Sequence, residues 1–321
     1  LTIEAYCHEE EKINSESATR LMEKIRLQLI RLSIAITVIS CKQNTEVSSL
    51  RQEDVYVAGV QYIGAEHWAA TYWKNGNPTF LTDGTKDAAA YAITLNGRDI
   101  YVAGEEDHCL KYWKNGIEFV LTSKQDEHSS RANGITVVGD DVYVAGYIAN
   151  TSGIKVAAIW KNRTVIELSD GINDAMANSV AVLNNDVYVV GNENIGVSNK
   201  LPLKLFQSIR KTVAVYWKNG TLNTLTDGQY DASAESITIA DSNMYISGNE
   251  FIDKHHNRYW KNGRVTGLSE EFKKVLSWRL HYVVEKTIPE SFVLKNGKAL
   301  PPFDAPSNGT RYFFDLFVVS K

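Results

Sequence analysis

Proline and cysteine are both scarce in this 321-residue chain, which has six and three respectively. Three cysteines (Cys7, Cys41, Cys109) cannot staple a small fold, and their spacing matches no zinc motif, so the fold must rest on a hydrophobic core. A net charge of −4 with both signs interspersed leaves no basic surface for nucleic acid. No apolar run approaches the ~20 residues of a membrane span. Gly-x-Ser-x-Gly, His-Glu-x-x-His and the phosphate-binding glycine loop are all missing, so no catalytic residue is assigned from sequence.

What the chain has instead is a pair of repeated phrases. Tyr72-Trp73-Lys74-Asn75-Gly76 returns as Tyr112 to Gly116, Ile159 to Arg163, Tyr216 to Gly220 and Tyr259 to Gly263, and more faintly as Val293 to Gly297. Val55-Tyr56-Val57-Ala58-Gly59 returns as Ile100 to Gly104, Val142 to Gly146, Val187 to Gly191 and Met244 to Gly248. A period of roughly 40–50 residues with several strands per unit describes propeller blades. Asn-Gly after Tyr-Trp-Lys is the favoured type I′ hairpin pair, since both central residues need φ > 0. Asn162-Arg163 breaks that pair and predicts a strained turn.

The strand after each Leu-Thr-Asp-Gly crossover is rich in small residues, as in Ala88-Ala89-Ala90, and suits the crowded axis. The first unit, from Asp54, lacks such a strand, and the run Phe313 to Val319 has no blade after it. The expectation is therefore an all-β, six-bladed propeller of four-stranded antiparallel blades over residues 54–321. Its C-terminal strand closes the ring and removes a sheet edge. Degenerate final units leave five or seven blades open.

Residues 1–53 are a different kind of sequence. Residues 1–21 are polar and read as lying upstream of the true start. Residues 22–41 carry a basic stretch, the apolar run Leu32 to Ile39, and then Ser40-Cys41, the order of a secretory signal. A helix packed on the domain is the alternative. Residues 42–53 read as a linker. The Ser40-Cys41 ending resembles the bacterial lipobox, which implies lipid attachment at Cys41 and a periplasmic or cell-surface envelope lipoprotein. The repeated phrases themselves resemble secreted bacterial repeat proteins and lipoproteins whose blades read Tyr-Trp-Lys-Asn-Gly then Leu-Thr-Asp-Gly. That resemblance implies fold and export but no activity.

The repeated Trp73, Trp113, Trp160, Trp217 and Trp260 occupy one position per blade and read as core. The repeated lysines face Asp99, Asp141 and Asp186 across neighbouring strands and read as structural pairs. The Asp-Gly-x-x-Asp loops (Asp83 to Asp87, Asp170 to Asp174, Asp227 to Asp231) invite calcium but offer too few oxygens, and turn chemistry explains them. No cofactor is expected.

Function is expected in the loops between the second and third strands, which vary most and share a face with the crossovers. The candidate binding residues there are Glu66, His67, Glu105, Asp107, His108, Lys204, Phe206, His255 and His256. The leading expectation is a monomeric binding module for a glycan or protein, touching the membrane only by its anchor. A polysaccharide-acting hydrolase or lyase and an envelope scaffold are the alternatives.

Overall fold

In a computed structural model, the described strands of the repeat fall where the phrases place them. The structure describes residues 54–63, 67–122, 130–195, 211–252, 255–267, 294–295, 298–299 and 311–319. The first blade holds β1 (Asp54–Ile63), β2 (His67–Lys74) and β3 (Asn77–Phe80). The second holds β4 (Ala88–Asn96), β5 (Asp99–Glu106), β6 (Cys109–Lys114) and β7 (Ile117–Val120), and the third β8 (Ser130–Val138), β9 (Asp141–Ala149), β10 (Lys155–Lys161) and β11 (Thr164–Glu167). The fourth is β12 (Ala175–Leu183), β13 (Asp186–Asn194), β14 (Thr212–Lys218) and β15 (Thr221–Thr224). The fifth is β16 (Asp231–Ala240), β17 (Asn243–Phe251), β18 (His255–Lys261) and β19 (Arg264–Thr266).

A two-stranded hairpin, β20 (Leu294–Lys295) with β21 (Lys298–Ala299), follows on the faint last phrase. The final strand, β22 (Arg311–Val319), pairs antiparallel with β1, from Asp54 opposite Val319 to Gln61 opposite Arg311. It fills the vacancy beside β1, so five four-stranded antiparallel blades stand among the described residues. Residues 268–293 and 300–310, where much of the expected last unit falls, lie outside them, as do residues 1–53 with Cys41, and Lys204 and Phe206.

Packing follows the repeat. The five phrase tryptophans are at most 1 % exposed, and Trp113, Trp160, Trp217 and Trp260 each pack in a core shared with the preceding blade. Between the first two blades, Tyr56, Ala58 and Ala70 meet Ala90, Ile93 and Trp113. Truncating one such ring to Ala is expected to cost about 3–5 kcal/mol. The inner strands β22, β4, β8, β12 and β16 lie side by side in that order, and all but β22 carry Ala or Ser at buried positions.

In the first four blades the phrase lysine sits beside an acid, with Lys74 to Asp54 at 3.3 Å, Lys114 to Asp99 at 3.0 Å, Lys161 to Asp141 at 2.8 Å and Lys218 to Asp186 at 2.7 Å, while in the fifth Asn243 stands in the aspartate's place. The turn asparagine completes the arrangement. In the second blade Asn115 Nδ2 donates to Asp99 (2.8 Å) while its Oδ1 accepts the Ile100 N–H (2.9 Å). The tyrosine of the other phrase also serves it, since Lys114 Nζ lies 5.3 Å from the Tyr101 ring centroid. Sequence reading had left that tyrosine without a role.

Two corrections concern the backbone. Asn75 (φ 50°) and Gly76 (φ 84°) both take the left-handed region, as type I′ requires. At Asn162-Arg163 only the asparagine does (φ 58°), so the expected strain at Arg163 is absent. Arg163 instead reaches across to the second blade, where its Nε donates to the Val120 carbonyl at 3.3 Å. The second correction is a β-bulge in every inner strand, which periodicity did not reveal. The extra residues are Tyr91, Asn133, Asn178, Glu235 and Phe314, each opposite the glycine that ends Val-Tyr-Val-Ala-Gly. A Cβ on Gly104 would overlap the Ala89 carbonyl oxygen, which is why that phrase ends in glycine.

Candidate functional site

The Asp-Gly-x-x-Asp crossovers are framework. Asp83 Oδ1 accepts the N–H and hydroxyl of Thr85 (2.9 and 2.7 Å), closing its own turn. The second acid reaches back to the third strand of the preceding blade. Asp87 Oδ1 accepts the Trp68 N–H at 3.0 Å, Asp174 that of Lys155 at 3.0 Å, and Asp231 that of Thr212 at 2.8 Å. Among the described residues no group of three or more His, Cys, Asp or Glu could hold a metal ion.

Where blades one and two meet on this crossover face, a cleft of about 500 Å³ opens. Four candidate residues line it, namely His67, Glu105, Asp107 and His108. They arrive from three places. His67 begins β2, Glu105 lies near the end of β5, and Asp107-His108 form the two-residue turn into β6. Lys86 and Asp87 come from the crossover, and Trp68 and Tyr91 complete the aromatic part of the wall.

Two of these residues carry unusual backbone. Asp107 (φ 51°) and His108 (φ 63°) are both left-handed without being glycine. Such a conformation costs on the order of 1 kcal/mol per residue, although Asp and His tolerate it better than most. The Glu106–Cys109 register forces it, because only two residues remain to reverse the chain. The turn is tied down by the Asp107 N–H on the Asp87 carbonyl (2.9 Å) and by Lys86 Nζ, 3.3 Å from Asp107 Oδ2. The exposed His108 is thereby held at the mouth of the cleft.

The other polar groups are oriented too. His67 Nδ1 is 3.4 Å from Asp87 Oδ1, close enough for an ion pair when the ring is protonated but without hydrogen-bond geometry. That carboxylate oxygen already accepts the Trp68 N–H. The Trp68 ring packs edge-on against Tyr62 with centroids 5.2 Å apart. Tyr91 donates its hydroxyl to Glu105 Oε1 at 2.6 Å, and the Arg131 guanidinium lies 4.2 Å from the Tyr91 ring centroid. Burial first, and then the negative charge of Glu105, push the Tyr91 phenol well above its ordinary value, so it remains a donor at any working pH.

His256 stands apart, in the fifth blade, with its backbone opposite Glu250. The backbone of His255 is opposite Phe251, also away from the cleft. Glu66, Lys204 and Phe206 lie outside the described residues. Sequence reading missed Trp68, Lys86, Asp87, Tyr91 and Arg131. A signal for Tyr91 was present, since it interrupts the small-residue run Ala88-Ala89-Ala90-Tyr91-Ala92.

No family model matches this chain, and no curated protein does. Among solved structures it is similar to the crystal structure of a GH43_12 retrieved from capybara gut metagenome, with 13 % identity and a TM-score of 0.32. The match covers 65 % of this chain and 44 % of that one, so the chain spans less than half of that protein's length.

Proposed function

We propose that this chain is an extracytoplasmic, lipid-anchored binding module that takes a glycan in the cleft between its first two blades. One observation carries the reading: residues that differ from blade to blade converge there, while the repeated residues are spent on the framework. A cleft of this size with a half-buried tryptophan and a few oriented polar groups suits a small or extended ligand. A protein partner would need a docking face of roughly 800 Å². The carboxylates favour binding over hydrolysis, because Glu105, Asp107 and Asp87 each already hold a partner in Tyr91, Lys86 or the Trp68 N–H.

The proposal extends to the ring. β22 supplies the inner strand of blade one, and the proposed ring has six blades, the last unit beginning at His281. Cys41 carries the anchor, which places the cleft in the bacterial envelope. A glycan array probed with the full chain tests the binding claim. Saturable binding to a defined oligosaccharide is expected, and a blank array removes the glycan reading.

A further inference from the structure

Arg131 breaks the repeat at a place the fold makes conspicuous. It pairs with Tyr147, the residue after the bulge-facing glycine of the third blade. The same position holds Tyr312, Ala89, Met176 and Ser233 in the other described blades, so among these the third alone puts a charge there. It does so beside Tyr91, the bulge residue of the second blade, which also lines the cleft. In the third and fourth blades the bulge residues Asn133 and Asn178 clip the next inner strand, donating to the Ala177 and Ala234 carbonyls. Tyr91 has given up that structural task. It presents its hydroxyl to Glu105 and its ring to Arg131.

The guanidinium is unlike the framework cations, four of which have an aspartate within 3.3 Å. Among the described residues Arg131 is held by the tyrosine ring, and its Nε is buried with no acceptor. Leaving a charged donor unsatisfied is costly, so evolution rarely keeps one that nothing meets. Lys155, at the start of β10, is a second such cation. Its Nζ lies 4.9 Å from the Tyr147 ring centroid, with no ion pair among the described residues. The acids of the cleft wall, Glu105, Asp107 and Asp87, are taken up by Tyr91, Lys86 and the Trp68 N–H. A planar guanidinium fixed against a ring is also preorganised for a two-point contact with an acid group.

We propose that the ligand is an acidic saccharide whose carboxylate or sulfate pairs with Arg131. This rests on the glycan reading above and narrows it, with Trp68 and the polar cleft wall taking the sugar rings and Arg131 the acid. The test is an array and titration with the full chain, in which each acidic oligosaccharide stands beside its neutral counterpart. Uronates are set against their methyl esters, and sulfated glycans against desulfated ones, so the two sources of the acid are told apart. The acidic member of one pair is expected to bind more tightly by roughly 10- to 100-fold, the worth of one charge-assisted pair. Arg131→Gln should erase that difference and leave any neutral binding alone, and Arg131→Lys should restore part of it. Neutral members binding equally well, or Arg131→Gln binding as the wild type does, would overturn the acid assignment and leave the glycan reading standing. Should Arg131→Gln fail to fold, the salt dependence of wild-type binding decides: an affinity unmoved by added salt contradicts the pairing. No binding to either member of any pair removes both proposals.

Discussion

The Tyr91 hydroxyl donates to Glu105 across 2.6 Å, joining the bulge of one strand to the residue that follows the glycine of the next. Those two positions recur in the other described blades with other residues, and among them only the second makes a tyrosine–carboxylate pair. Tyr91→Phe keeps the ring under Arg131 and removes the hydroxyl. It should cost about 1–3 kcal/mol in urea unfolding, because a carboxylate loses its donor. Wild-type stability in this variant would mean that Glu105 finds another partner.

Gly104 accounts for the end of the Val-Tyr-Val-Ala-Gly phrase. In Gly104→Ala the new Cβ meets the Ala89 carbonyl, so the bulge must open. A loss of about 3 kcal/mol or more is expected, as for other forced overpacking. Gly97→Ala is the control, because only its positive φ (61°) opposes a side chain there and nothing lies within 4 Å, so about 1 kcal/mol is expected. Equal losses at the two sites would contradict the steric account.

The ladder of Lys and Asp pairs sets a pH window. Asp99 is held below its ordinary value of 3.8 by Asn115 and then Lys114, and Asp141 and Asp186 are lowered first by Lys161 and Lys218. A lowered carboxylate contributes stability above its unfolded value and loses it as pH falls through the folded one. Lys161 and Lys218 are raised above 10.5, so their share is complete below that value and fades only as pH rises through the folded one. Stability should therefore be flat across neutral pH, declining in acid and again in strong alkali. All these groups are exposed, so salt should flatten both slopes. An Asp99→Asn, Asp141→Asn, Asp186→Asn triple variant should show a shallower acid limb in melts taken from pH 6 to 2. An unchanged limb would assign acid unfolding to other carboxylates.

For the anchor, Cys41→Ala should move the protein from the membrane fraction to the soluble one in a bacterial host. Unchanged fractionation would sink lipid attachment at this residue.

How much was legible in the sequence depended on repetition. Trp113 and Lys114 read as framework because their counterparts recur beside the same acid and the same turn. Asp107 and His108 were found because they sit where blades differ, although nothing local showed that two left-handed residues hold them in place. The bulges escaped notice because one inserted residue shifts the alternation without altering composition, and only the paired glycine records it. Arg131 was invisible for a different reason. What matters is its contact with Tyr91, 40 residues earlier and on another blade, and no local pattern encodes that.

The most direct test of the cleft as a glycan site is calorimetric titration of the full chain and of Trp68→Ala with an oligosaccharide that scores on the array. The account predicts that Trp68→Ala melts near the wild-type temperature and loses most of the affinity, roughly 10-fold or more for a removed aromatic platform. Undiminished binding by a folded Trp68→Ala protein would place the ligand elsewhere and contradict it.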